Sequence, residues 1–206
     1  HRDHARRRDV IEHFLSNLRI MAELSQDADI PLVLINPPAN LKDCPPFKSE
    51  FSASLSDFQK QQAIELLRRA DETSWEDPQA KLHLLQKAAA IDPKYADTLF
   101  LIGTCLRQMG RSEQARPWFE QAGEEDICPL RILEPMHEAI LQTAERYRLP
   151  LVDVQALIEQ KTPDGIPGSR WLVDHVHPII EGHQLIADQL YLTMEKMDIV
   201  RTPVDW

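Results

Sequence analysis

Two short apolar runs, each closed by residues that end a β-ladder, constrain this chain more than any other feature. Ile30-Pro-Leu-Val-Leu-Ile35 is nearly continuous rather than alternating, and Asn36-Pro37-Pro38 follows it. A run apolar at nearly every position suits a strand covered on both faces, and prolines, which lack the amide hydrogen, stop it. Far downstream, Leu149-Pro-Leu-Val-Asp-Val154 has the same character. A helical pattern leads into each run. From Val10 to Leu24, the residues Ile11, Phe14, Leu15, Leu18, Met21 and Ala22 share one face. Met136 to Tyr147 reads as a second helix, with Pro135 near its start. Leu157 and Ile158 begin a short helix, Gly165-Ile-Pro-Gly168 breaks the chain into a loop, and Ile180 to Met197 carries Ile186, Leu190 and Met194 on one side. Arg201 to Trp206 reads as an irregular tail.

These patterns predict an α/β fold, a partial three-layer α/β/α (flavodoxin-like) sandwich with an all-α helical-repeat insert. The sandwich takes residues 1–40 and 128–206, and the insert takes 41–127. The chain begins at His1 within a helical pattern, so it reads as a piece of a longer protein. Two strands make an incomplete sheet, and the outer side of the first is expected to be an apolar edge. An N-terminal fragment or a homo-oligomer would cover it.

The insert has a texture of its own. Tyr95 to Ala122 places Leu99, Ile102, Gly103, Leu106, Gly110, Ala115, Phe119 and Ala122 in a spacing that resembles the tetratricopeptide helix-turn-helix. In that motif Gly103 and Ala115 would let two helices approach closely, with the large residues filling the space beside them. About thirty-four residues earlier, one period of the motif, Leu85, Ala88 and Ile91-Asp-Pro93 match the second helix of a preceding repeat. Its first helix, Phe58 to Ala70, matches less well, since Arg69 stands where glycine is expected and the connection from Asp71 to Gln79 is long. Two repeats are fewer than the three or so such arrays need, so the insert should lean on the α/β part. Two uses are open: a stabilising spacer, or a concave groove that binds a protein partner or walls a substrate. No basic clamp or aromatic ladder marks a groove, which favours the spacer.

Charge narrows the partners. The net charge is −10, with acids spread through the helical segments, which disfavours nucleic acid and anionic membrane surfaces. The basic cluster from His1 to Arg8 reads as a solvated helix start. No apolar run reaches the length of a membrane span. Cys44, Cys105 and Cys128 are odd in number and form no disulfide pattern. The compartment is not legible.

The chemistry-bearing stretch is Trp171-Leu-Val-Asp-His-Val-His-Pro178. An Asp three residues before a His on a tight loop can reach the ring, fix its tautomer and stabilise the imidazolium, which is what activation of a serine oxygen requires. Asp174 and His177 are therefore the candidate catalytic residues. Metal binding by His175, His177, His183 and Asp188 is the competing use. The spacing of two between His175 and His177, the absence of an H-E-x-x-H pattern and the lack of a nearby cysteine argue against it. No metal and no cofactor is expected. A solvated loop with hydrogen-bonded histidines and no chemistry is the remaining reading. His13, His83, His137 and His183 read as structural, Asp153 as a cap and Asn36 as a turn former.

The context of the loop, a Gly/Pro break before it and "PIIEGHQLIADQL" after it, resembles the end of the SGNH, or GDSL-type, hydrolase family, and "IPLVLINPP" resembles that family's penultimate strand. The resemblance implies a serine esterase or deacylase acting on a small-molecule or carbohydrate ester or other O-acyl substrate, with His177 as general base and Asp174 as its partner. It also implies a serine in an N-terminal G-D-S block and oxyanion-hole Gly and Asn residues. None of these is present, and Ser169 is a poor substitute. The other reading is a non-catalytic helical-repeat interaction module on an α/β scaffold.

Overall fold

A computed structural model describes residues 1–200. Helix α1, His4–Asp27, opens on Asp3, whose carboxylate accepts the Arg6 amide. Strand β1, Leu34–Asn36, follows, and a long connector leads to four helices: α2 (Asp57–Glu72), α3 (Pro78–Ile91), α4 (Ala96–Gln108) and α5 (Ser112–Glu125). The chain then forms α6 (Glu134–Tyr147), β2 (Leu151–Asp153), α7 (Val154–Lys161) and α8 (Ile180–Lys196). Arg201 to Trp206, read above as a tail, lies outside the described residues.

The two strands pair in parallel, Leu34 opposite Leu151 and Asn36 opposite Asp153. They are the whole sheet among the described residues. The expected flavodoxin-like α/β/α sandwich is therefore incorrect: the molecule is mostly helical, with eight described helices and two three-residue strands. The physical reason lies in the prolines. Pro31 and Pro150 cannot donate to a ladder and Pro37 ends it, so each apolar run yields only three paired residues. The first bond, Leu34 amide to Pro150 carbonyl at 2.9 Å, marks where pairing begins. Ile30, expected in the strand, is 63% exposed.

The largest core lies among α2 to α5. Leu82, Leu85, Ile102, Cys105, Leu106, Ala115 and Phe119 pack there, joined by Ala39 and Leu41 of the connector and by Ile166. Gly103 permits the crossing of α4 and α5: a Cβ there would sit 2.9 Å from the Phe119 ring. That ring meets Phe100 edge-on with centroids 5.3 Å apart. Burial also pushes the Cys105 thiol up to about 11, so it acts as a small apolar group.

Two smaller cores flank the strands. Leu18, Leu34, Ala139, Ile140 and Ala144 join α1 and α6 to β1. Val152, Val154, Ile158, Trp171 and Leu172 form the other, against Leu185, Ile186 and Leu190 of α8.

The connector is tied to the helical hairpins by two buried aspartates. Asp92, at the end of α3, accepts the Ser52 amide at 2.8 Å and its hydroxyl at 2.7 Å. Asp126, at the end of α5, accepts the amides of Phe47 and Lys48 at 2.6 and 3.0 Å. Ser56 then starts α2 with a reciprocal capping box with Gln59.

Candidate functional site

Asp174 and His177 meet as their spacing predicts. The Asp174 Oδ2 lies 2.7 Å from His177 Nδ1, while Oδ1 accepts the amides of Val176 at 2.9 Å and His177 at 2.8 Å. Those two amides, then the imidazole, hold the Asp174 carboxyl well below its ordinary range. Both side chains are open to solvent, 50% and 74% exposed. His177 Nε2 has no hydrogen-bond partner among the described residues. The loop is braced from below: the Asn40 amide donates to the His175 carbonyl, and the His175 ring lies 3.0 Å from the Pro45 carbonyl. Close behind it, a Cβ on Gly182 would meet the Trp171 carbonyl at 2.9 Å. The arrangement is an oriented imidazole on an open surface. Ser169 does not join it, since its hydroxyl donates to Asp43 at 2.9 Å. No group of three or more His, Cys, Asp or Glu among the described residues could hold a metal ion.

A second polar cluster sits where the strands end. Asn36 and Asp153 are opposite one another in the ladder, and the Asn36 amide nitrogen donates to Asp153 at 2.9 Å. Asp153 also caps α7 through the Ala156 amide. The Asn36 carbonyl oxygen lies 2.6 Å from His137 Nδ1. His137, read from its sequence as structural, is only 8% exposed, and burial lowers its pKa. The signal for this cluster was Asn36 and Asp153 as the polar residues at the ends of two apolar runs.

The third feature is a groove of about 420 Å³ between α2 and α4, lined by Phe51, Ile64, Leu67, Trp75, Tyr95 and Leu101. Phe51 of the connector stacks on Tyr95 with centroids 4.2 Å apart. Lys81, only 3% exposed, sits at its floor, donates to the Ala70 carbonyl and lies 4.4 Å from the Trp75 ring centroid. No carboxylate pairs with it among the described residues. Sequence reading found no basic clamp or aromatic ladder because these side chains come from four separate segments.

Comparison with known proteins bears on the hairpins alone. Residues 84–116 match the tetratricopeptide repeat family. No curated protein and no solved structure matches the chain. No helix among the described residues is long and apolar enough to cross a membrane. The SGNH/GDSL resemblance, and with it the expectation of a hydrolase or esterase, finds no support and conflicts with a mostly helical, repeat-bearing chain. What is similar to a known family is the stretch that joins α3, α4 and the start of α5, a tetratricopeptide repeat.

Proposed function

We propose that this chain is a helical-repeat protein-interaction module, with residues 41–127 as the interacting insert and residues 1–40 and 128–206 as the scaffold that carries it. One observation supports the reading above the others: Lys81 is a buried ammonium with no carboxylate in salt-bridge contact, at the floor of a groove whose apolar wall of Ile64, Leu67, Trp75 and Leu101 is edged by Arg68, Asp71 and Asp97. Desolvating a charge is costly unless it is paired, so an arriving carboxylate would find a ready partner. The occupant is a peptide segment of a partner protein with apolar anchors for Ile64, Leu67 and Trp75 and an acidic group for Lys81. Peptide-display selection on the folded protein tests it. Enriched sequences should combine apolar and acidic residues, and Lys81→Met, which keeps the length of the stem, should weaken them roughly ten-fold. Ile64→Asp on the groove wall should weaken them as well. Enrichment without acidic residues, or affinities indifferent to both substitutions, would remove the proposal.

A second reading rests on the 2.7 Å contact between Asp174 and His177. With Nδ1 engaged by the carboxylate, Nε2 serves as a proton acceptor toward a bound molecule. Carbethoxylation of His177, followed by mass spectrometry, should slow several-fold in Asp174→Asn. An unchanged rate would show that the carboxylate does not tune the ring.

A further inference from the structure

We propose that the cavity between the start of α1 and the segment joining α5 to α6 binds a phosphate monoester, held by the guanidiniums of Arg2, Arg6 and Arg131. This site lies apart from the groove between α2 and α4, and it does not rest on the reading of that groove.

Two shielded donors mark the place. Arg2 and Arg131 both line this cavity of about 430 Å³, and the Nε–H of each is shut away from solvent with no acceptor among the described residues. A buried donor without an acceptor is a cost that an arriving oxygen would relieve. Arg131 is only 7% exposed. The carbonyls of Asn40, Cys44 and Pro45 take its terminal N–H groups at 2.5, 3.0 and 3.2 Å, so the guanidinium is fixed in place. It makes no ion pair among the described residues. Burial lowers its pKa, and the charge of Asp126 offsets only part of that effect. A buried cation held by carbonyls alone calls for an anion.

The charges of the walls agree. The basic run at the start of the chain, read from its sequence as a solvated helix start, brings Arg2, Arg6 and Arg7 to the cavity. The carboxylates there are already engaged. Asp126 accepts the amides of Phe47, Lys48 and Cys128, Glu124 takes Arg7 and the Glu134 amide, and Asp3 caps α1. Arg2 pairs through a terminal nitrogen with Glu125. The Arg6 guanidinium has no partner among the described residues. What is left unspent is positive: all of Arg6 and the Nε–H groups of Arg2 and Arg131. That balance disfavours a metal cation. It favours a phosphate monoester over a lone carboxylate, because three acceptor oxygens and nearly two charges can serve guanidiniums that arrive from separate segments. A neighbouring cavity of about 770 Å³ shares Arg2, adds Lys60 and Lys94, and leaves room for the organic part of the ester.

The test is calorimetric titration of the full chain at constant ionic strength, with inorganic phosphate, Nα-acetyl-phosphoserine methylamide and acetate. Saturable phosphate binding is expected, with acetate weaker by about ten-fold. Tighter binding of the phosphoserine derivative than of phosphate supports a phosphorylated protein side chain as the source, and the reverse order supports a small phosphorylated molecule. Arg6→Gln, at an exposed position, should weaken phosphate roughly three-fold. Arg19→Gln, which removes the same charge farther along α1, should leave it unchanged. No saturable phosphate binding, acetate as tight as phosphate, or equal losses in the two variants would each overturn the proposal. The phosphate and acetate comparison uses the unaltered protein, so it decides even if a variant misfolds.

Discussion

The four helices α2 to α5 and the strand-bearing region bury their apolar residues in different ways. Among α2 to α5 the large side chains close on one another around Phe119, and small residues at Gly103 and Ala115 let the helices approach. Around the strands large apolar residues stay in solvent along whole helix faces, with Val10, Met21 and Leu24 of α1 at 51%, 51% and 62% and Ile180 of α8 at 75%, whereas in the other region the exposed ones, Phe58 at 71% and Ile64 and Trp75 at 43%, are confined to α2 and the turn after it. A hairpin of helices is covered by its neighbour in sequence. Two three-residue strands offer too little surface for the helices that flank them.

The largest penalties should therefore fall in the helical hairpins. Phe119→Ala removes the centre of the tightest core and should cost about 3–5 kcal/mol in denaturant unfolding. Leu172→Ala, in a small core beside the strands, should cost about 2 kcal/mol, at the low end for such a truncation. A larger loss for Leu172 than for Phe119 would reverse the comparison. Gly103→Ala comes next, at about 1–3 kcal/mol, because its methyl group would press on the Phe119 ring. The smallest effect belongs to the 174–177 loop. Its Asp174 carboxyl is depressed from an ordinary 3.8, so its bonds to Val176 and His177 are intact above that value and fade as pH falls toward the folded value. The amide resonance of Val176 should follow that loss in acid and stay constant near neutrality. A change centred near neutral pH would assign it to another group.

How much of this was legible depends on the distance between the cooperating residues. The helices α1, α6 and α8 follow from apolar spacing on one face, and the α4–α5 hairpin from Gly103, Ala115 and Phe119 within a single motif. The pair Asp174 and His177 is three residues apart, so the turn that joins them is local. The strands are shorter than the apolar runs suggest, because the prolines within each run restrict pairing to three residues. The groove and the His137 cluster were missed for another reason. Asn36 is separated from His137 by 101 positions and from Asp153 by 117, and only the folded chain brings them together. The serine-hydrolase expectation followed a short motif into a fold that the rest of the chain does not build.

Asp92 and Asp126 have a consequence for the geometry of the whole array. They occupy the same place in two successive hairpins, one at the end of α3 and the other at the end of α5. One stretch of connector, from Phe47 to Ser52, reaches both. The connector thus works as a gauge laid along the hairpins, and its length sets the pitch at which one may stand beside the next. Lengthening it, or slipping another hairpin between these two, would pull one notch off its tooth, which makes this array a fixed dimension rather than a stackable one.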